Sequence, residues 1–183
     1  MIIMTTGYPR EEPPLHIVYC IEAGERLGAG CAIPCVSHAI KQALSGLRVA
    51  DTFSVVVFAD EAEAFSKRLL PAIPGNIESA LQFMECGISG SGADFSQALD
   101  MALTIGRVNH VYLITAGGPV GGMEDFAALR AHIRGKNVRE ARISCIGVEA
   151  EGAFPAADLM CGIASDNGGT FFFLKPHVGE SCD

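Results

Sequence analysis

The side chains in this sequence that are best suited to chemistry are oxygen ligands that follow apolar segments. Four of them could together form a metal site: Glu22, Asp60, Asp94 and Thr115. Carboxylate and hydroxyl oxygens are the ligands that hard cations such as Mg²⁺ prefer. Because the four residues lie far apart in the sequence, such a site requires a fold that brings the ends of separate segments to one edge.

A second group of possible ligands is Cys31, Cys35 and His38, whose spacing could place three zinc ligands on one helical face. The spacing is not that of a recognised zinc finger, so core thiols and a surface histidine are the favoured interpretation. Hydrolytic catalysis has no support, because the five histidines are scattered and no motif ties one to Ser89 or Ser91. We therefore predict no catalytic residue and no enzyme activity.

The segment Leu15 to Leu27 is the centre of the predicted fold. Its first half is an apolar, partly β-branched run, which indicates a buried strand, and Glu22 and Gly24 then begin a loop. In open α/β sheets, ligands bind at the loops that follow such strands. We therefore expect this loop to be part of any functional site.

Strand-like and helix-like segments alternate along the rest of the chain. Further strands are predicted over residues 52–58, 62–65, 108–115, 143–148 and 170–174, with amphipathic helices in the longer intervals. This alternation is typical of parallel sheets covered by crossover helices. The predicted fold class is α/β, a three-layer doubly wound fold with a mostly parallel six-stranded sheet, one short antiparallel edge strand at 62–65, and helices on both faces.

Capping residues predict where three of these helices begin. Asn76 can cap a helix that ends at Gly87, and Asp94 and Gln97 have the spacing of a capping box. A further helix over residues 123–134 opens with two acidic residues, the second of which is Asp125.

Length and composition indicate one globular domain. The chain has 183 residues, 49% hydrophobic and 19% charged, enough to bury a core without a disulfide or a metal. We divide it into an extended leader (1–14), a domain (15–175) and a C-terminal tail (176–183).

No apolar run reaches the ~18 residues of a membrane span, and no signal peptide pattern is present. The seven cysteines, with Cys20, Cys145 and Cys161 in apolar segments, indicate buried free thiols and a cytoplasmic protein.

The net charge of −8 argues against nucleic acid as a partner. One short segment is nevertheless basic and holds five of the 13 Lys and Arg residues: Arg130, Arg134, Lys136, Arg139 and Arg142. The favoured interpretation is a helix C-terminus whose dipole the cations complement, followed by a solvated loop. The alternative is an anion-binding patch.

Four segments, in their order and spacing, resemble the von Willebrand factor A (vWA) family from Leu15 to Leu174. They are the second-strand end Phe58 to Ala62, the turn Gly90 to Asp94, the strand end Leu113 to Gly117, and the last helix and strand at 163–171. The first strand, followed by Glu22 to Arg26, resembles the opening of the family. The resemblance implies the Rossmann-like vWA fold. It also implies that the loops after the strands form the functional edge.

The family holds magnesium through two serines and a threonine, with aspartates that bond to these ligands and to bound waters. At the matching positions this sequence has Gly24 and Arg26 for the serines, Ala93 for the threonine and Ala116 for one aspartate. Of the replaced positions, only Glu22 keeps a carboxylate. The resemblance therefore implies a degenerate metal-ion-dependent adhesion site with no metal and no cofactor. Two interpretations of Arg26 stay open: it pairs with Glu22 or Asp94 in place of the ion, or it points to solvent while Asp94 only caps its helix.

The predicted function is a non-enzymatic protein-protein interaction or scaffold domain with an unidentified protein partner, and self-association is compatible with the low charged fraction. The partner-binding loops implied by the resemblance carry Glu22, Gly24, Arg26, Ala93, Asp94, Ala116 and Gly117. The alternative is a small-ligand or nucleotide-binding domain that uses the same crevice. Glycine-rich turns at 24–30 and 117–122 favour it, but neither spells G-x-G-x-x-G or carries the lysine of a phosphate loop.

Overall fold

The computed structural model describes residues 13–23, 32–87, 90–149 and 156–174, with side chains of the first helix described from Val36 onward. The strands are His16–Glu22 (β1), Thr52–Phe58 (β2), Ala62–Ala64 (β3), Leu70–Pro71 (β4), His110–Thr115 (β5), Arg142–Val148 (β6) and Gly168–Leu174 (β7). The helices are Ala32–Ser45 (α1), Pro74–Cys86 (α2), Phe95–Thr104 (α3), Phe126–Lys136 (α4) and Ala157–Asp166 (α5).

The seven strands form one sheet in the order β3-β2-β1-β5-β6-β7, with β4 also paired to β2. Strands β2, β1, β5, β6 and β7 are parallel, whereas β3 and β4 run antiparallel to β2. The predicted α/β fold with its antiparallel edge is confirmed. The two-residue strand β4 was not predicted, because so short a segment with a proline has no recognisable strand pattern.

Strands β1 and β2 lie at the centre of the core, and six of the seven residues in each are buried. Burial on both faces explains their continuous apolar sequences, since a half-exposed strand would alternate polar and apolar residues. One face of the sheet packs against α3, α4 and α5, and the other packs against α1 and α2. The helices therefore hold the strand ends in fixed positions.

The helix start predicted at Asp94 is correct, and the other two are wrong. Helix α4 begins at Phe126, three residues after the predicted start at residue 123. Asp94 and Asp125 cap α3 and α4, since their side chains accept from the backbone N–H groups three residues later. Helix α2 instead begins at Pro74, two residues before Asn76, because the fixed φ of proline suits the first helical position. The Asn76 amide donates to the carbonyl of Pro71 at 3.0 Å.

The cysteines only partly follow the prediction of buried thiols. Cys20 and Cys145 are buried and free, and burial raises the pKa of the Cys145 thiol to about 12. Cys161 is also free but exposed, because it lies on the outer side of α5 while Leu159 and Met160 face the core. Within the described ranges, no helix is both long and apolar enough to cross a membrane.

Candidate functional site

The candidate site lies at the carboxyl-terminal edge of the sheet, where β1 and β5 end side by side. The chain leaves β1 toward β2 on one side, whereas β5 continues toward β6 on the other. A reversal of this kind opens a crevice between neighbouring strand ends, which is where α/β sheets bind ligands. Glu22 and Thr115 are the last residues of these two strands.

Glu22 is joined to the end of β5 by two hydrogen bonds. Ile21 pairs with Ile114 in the sheet register, so Glu22 and Thr115 occupy the next positions on adjacent strands. The Thr115 hydroxyl donates to Glu22 Oε2, and the backbone N–H of Ala116 donates to the same oxygen at 3.0 Å. Glu22 is only 1% exposed, so these donors replace water around a buried carboxylate.

The Thr115 hydroxyl also organises the loop that follows β5. It has one proton, which the contact with Glu22 uses, so it can serve Gly117 only as an acceptor. The Gly117 backbone N–H lies 3.2 Å from Thr115 Oγ1 in that role. Ala116 and Gly117 are both buried, so the predicted site residues of this loop act here through their backbone.

The turn that contains Ala93 and Asp94 is fixed between two neighbouring loops. Ala93 exchanges backbone hydrogen bonds with Val120, with N···O distances of 2.7 and 3.2 Å. The backbone N–H of Asp94 donates to the carbonyl of Ala59 at 2.9 Å, just beyond β2. The Asp94 carboxylate accepts from the Gln97 N–H at 3.0 Å and from the Ser96 hydroxyl. Asp94 is therefore a helix cap at the edge of the site.

Asp60 packs against the same turn. A side chain carbon added at Gly90 or Gly92 would come within 2.4 Å or 2.3 Å of the Asp60 carboxylate oxygens. Both positions therefore need glycine, which explains the spacing of the two residues around Ser91. The Gly-x-Gly pattern at 90–92 was a sequence signal for this close approach, but it did not identify Asp60 as the neighbour.

The other predicted ligands are described only in part. Gly24, Arg26 and Cys31 lie outside the described residues, and so does the Cys35 side chain. His38 is exposed on α1, and its Nε2 atom lies 2.8 Å from the Gln42 side chain nitrogen. The hypotheses of an Arg26 ion pair and of a zinc site therefore stay predictions.

The described residues at this edge do not fit a divalent cation by themselves. Ala93 and Ala116 provide no side chain oxygen where magnesium would need one, and one oxygen of Glu22 already accepts two hydrogen bonds. Across the described ranges, no group of three His, Cys, Asp or Glu side chains lies close enough to hold an ion. Glu22, Asp60 and Asp94 therefore do not converge into the four-ligand site that the sequence suggested as one option.

A small cavity of about 180 Å³ lies beside Glu22, between the ends of β1 and β2 and helices α1 and α2. Its walls are mostly apolar, with Val36, Val57 and Met84, and Glu22 and Glu85 are the acidic residues that border it. Pockets for small ligands usually measure roughly 300–1,000 Å³. The cavity is smaller than that.

Two exposed apolar side chains lie on the other side of the crevice. Val120, which bridges to Ala93, is 44% exposed, and Phe126, the first residue of α4, is 46% exposed. We call these two residues the apolar rim. Sequence patterns did not single them out, since one apolar residue in a loop has no period that could separate exposed from buried positions.

The fold and the strand-end geometry together define the class of protein: this chain has the fold of vWA domains. A von Willebrand factor type A protein from Catenulispora acidiphila superposes with a TM-score of 0.77 at 18% sequence identity, over 89% of this chain and 39% of that chain. Proximal thread matrix protein 1 from the mussel byssus, solved with a zinc-occupied MIDAS motif, gives a TM-score of 0.69 at 20% identity. That match covers 87% of this chain and 41% of the mussel chain.

The sequence also resembles one human protein. Human inter-alpha-trypsin inhibitor heavy chain H4 is 24% identical over an alignment of 183 residues, which covers 93% of this chain. The chain spans 19% of the length of that relative. No protein-family model matches the sequence.

Proposed function

We propose that this chain is a non-enzymatic protein-interaction domain that binds a protein partner at the loop edge without a metal ion. One observation carries the proposal. The Glu22 carboxylate, the only acidic group kept among the replaced metal-site positions, accepts hydrogen bonds from Thr115 and Ala116 of the same chain. A carboxylate with these hydrogen bonds stabilises the contact between the ends of β1 and β5, and this role needs no ion.

Recognition in this proposal depends on shape and apolar contact. Val120 and Phe126 supply exposed apolar area beside the crevice, and the Ala93–Val120 bridge holds that loop against its neighbour. Preorganised apolar side chains bind at low entropic cost, which favours them as anchors of an interface. Arg26 would add a positive charge in the loop after β1.

The alternative of a bound nucleotide or small ligand receives less support from the geometry. The cavity at this edge is smaller than the usual small-ligand pocket, and its walls are mostly apolar, so it offers few groups that could hold a phosphate. Self-association and a cytoplasmic location remain part of the proposal, the latter because Cys20 and Cys145 are free thiols.

The first test is a thermal melt of the full chain in EDTA and then in magnesium, manganese or zinc. A ligand that binds only the folded state adds about 2.7 kcal/mol at 100 times its Kd. For a protein of this size that corresponds to a Tm increase of roughly 5–10 °C. We expect no increase with any ion; an increase with magnesium or manganese would refute the metal-free site, and one with zinc alone would point to Cys31, Cys35 and His38.

The second test maps the partner surface. The chain is immobilised and used to capture proteins from the organism that makes it, in parallel with the Val120→Asp variant and the Phe126→Asp variant. Val49→Asp is the matched control, since Val49 is exposed and lies in the turn that leads into β2, at the opposite edge. We expect a specific partner to be lost from both rim variants and retained by the control. A partner that all variants retain would place the interface elsewhere.

A further inference from the structure

We propose that a second binding surface lies at the opposite, amino-terminal edge of the sheet and takes a short acidic segment of a protein partner that carries one apolar side chain. The surface is a groove of about 280 Å³ between the end of α3 and the turn from α4 to β6. We call it the basic groove. It is lined by Leu103, Thr104, Val108, Lys136, Asn137, Val138, Arg139 and Ala141.

The charge of this region is opposite to that of the chain as a whole. Residues 130–142 contain five Lys and Arg and one acidic residue, in a chain of net charge −8. Two aspartates from neighbouring helices pair with these cations, Asp166 with Arg130 and Asp100 with Lys136 at 4.0 Å, so the region keeps a charge of about +2 when they are included (+4 less 2). Lys136 and Arg139 line the groove itself, whereas Glu140 lines the neighbouring cleft. An acidic segment is therefore attracted to these cations. Its repulsion by the acidic remainder of the surface is screened beyond about 8 Å at physiological salt.

A role at the helix end accounts for Arg134 and Lys136 but not for Arg139. Arg134 and Lys136 lie in the last turn of α4, where they complement the helix dipole. Arg139 lies three residues beyond that end, and its Nη1 donates to the carbonyl of Gly106 in the turn after α3. This contact uses one of the five guanidinium N–H groups, so the others can bind an anion while the turn stays fixed.

The walls of the groove add an apolar component. Leu103, Val108 and Ala141 line its sides, and Val138 at its mouth is 80% exposed. Exposure of a β-branched side chain in a polar turn has no stabilising role in the monomer, since apolar area gains free energy only when it leaves water. The volume suits one aliphatic side chain with flanking backbone, and together with the cations at Lys136 and Arg139 it favours an acidic peptide segment as the occupant.

A polyanion fits this surface less well than a short peptide. Nucleic acids and anionic membranes require a basic track or face much wider than a groove with two lining cations. They would also extend over the acidic remainder of the chain and meet repulsion there. A short segment contacts only the groove and its borders.

The proposal is tested by fluorescence anisotropy with the full chain and a labelled nine-residue peptide, a central leucine flanked on each side by four Asp or Glu residues. We expect saturable binding that weakens as salt rises, and about a tenfold loss in the Lys136→Glu/Arg139→Glu variant. The matched control is Lys67→Glu/Arg68→Glu, which changes the net charge by the same amount at two exposed residues between β3 and β4. We expect the control to bind like the wild type.

Two further comparisons test the apolar part of the proposal. Replacing the central leucine of the peptide by serine, or Val138 by serine in the protein, should each weaken binding several-fold. In a ¹H–¹⁵N correlation spectrum, titration with the peptide should shift the amide signals of Val138 and Ala141 more than those of Val120.

The proposal is overturned by no saturable binding up to about 1 mM peptide, by equal loss in the control variant, or by equal affinity of the serine peptide. It is also overturned if single-stranded DNA or phosphatidylserine vesicles bind more tightly than the peptide through the same two residues. Circular dichroism melts establish that the glutamate variant is folded. If it is not, the Lys136→Gln/Arg139→Gln variant gives the same comparison with smaller perturbation.

Discussion

Replacing Thr115 by valine tests whether the hydrogen-bonded Glu22 carboxylate stabilises the contact between the ends of β1 and β5. Valine has nearly the shape of threonine but no hydroxyl, so the change removes the donor to Glu22 Oε2 and the acceptor of the Gly117 N–H. All three groups are buried, so water cannot replace the lost partners. The expected result is a marked loss of stability without a change in the core packing of β5.

The size of the loss follows from the charge on Glu22. A hydrogen bond to a charged group contributes about 1.5–3 kcal/mol, and an unsatisfied buried N–H adds to the cost. The Ala116 N–H at 3.0 Å still donates to the carboxylate, which keeps the loss toward the lower end of that range. We expect Thr115→Val to lower the free energy of unfolding by about 2 kcal/mol, a Tm decrease of roughly 4–8 °C.

Urea denaturation followed by circular dichroism measures this loss, with Thr115→Ser as the matched control. Serine keeps the hydroxyl and removes one methyl group, which costs about 0.8 kcal/mol. A double-mutant cycle with Glu22→Gln isolates the pair, and we expect a coupling of about 1 kcal/mol, because the amide is a weaker acceptor than the carboxylate. If Thr115→Val is as stable as Thr115→Ser and the coupling is zero, Glu22 is not a tie between the strands, and the argument against a metal there fails with it.

Two further predictions concern the carboxylate of Asp51, just before β2, and the backbone at Gly122, in the loop after β5. Hydrogen bonds from Arg48 lower the pKa of Asp51 to about 2, so its contribution to stability is complete above pH 4 and lost as pH falls toward 2. Because Arg48 is 46% exposed, we expect Asp51→Asn to lower the free energy of unfolding by only about 1–2 kcal/mol at pH 7. Urea denaturation at several pH values should show that this difference from the wild type becomes smaller below about pH 4. At Gly122 (φ +62°), a Cβ would lie 2.3 Å from the carboxylate of Asp94, whereas at Gly121 (φ +79°) it would meet nothing within 4 Å. Backbone strain alone should lower the free energy of unfolding of Gly121→Ala by about 1–3 kcal/mol, and Gly122→Ala should lose more. Thermal melts compare the two variants, and equal melting temperatures would contradict this prediction.

The fold class could be predicted because it depends on patterns that are local in sequence. Apolar runs such as the one before Glu22 identify buried strands, and the ends of parallel strands meet at one edge in any doubly wound sheet. The resemblance to the vWA family then placed Ala93 and Ala116 at that edge. The structure bears out the fold, and the role of these positions stays a prediction.

The partners of individual polar side chains could not be predicted in the same way. The capping-box spacing of Asp94 and Gln97 predicts a reciprocal pair, yet the Asp94 N–H bonds to Ala59, and the Gln97 side chain accepts from the N–H of Ala62. The tertiary contact with the turn after β2 replaced the local one. Such choices depend on which loops meet, and no pattern within one segment encodes that.

The replacements at the loop edge are consistent with one another in electrostatic terms. An aspartate at position 116 would place a second carboxylate beside the buried Glu22, and two like charges in such a site require a cation to compensate them. With alanine there, a single carboxylate remains, and the Thr115 hydroxyl and the Ala116 N–H supply the compensation. Glutamate also has one more methylene than aspartate, which extends the reach of its carboxylate toward the neighbouring strand. In the proposed function, the longer side chain of Glu22 and the uncharged Ala116 therefore act together. The hydrogen bonds between Glu22 and the end of β5 stabilise this edge in place of a bound ion.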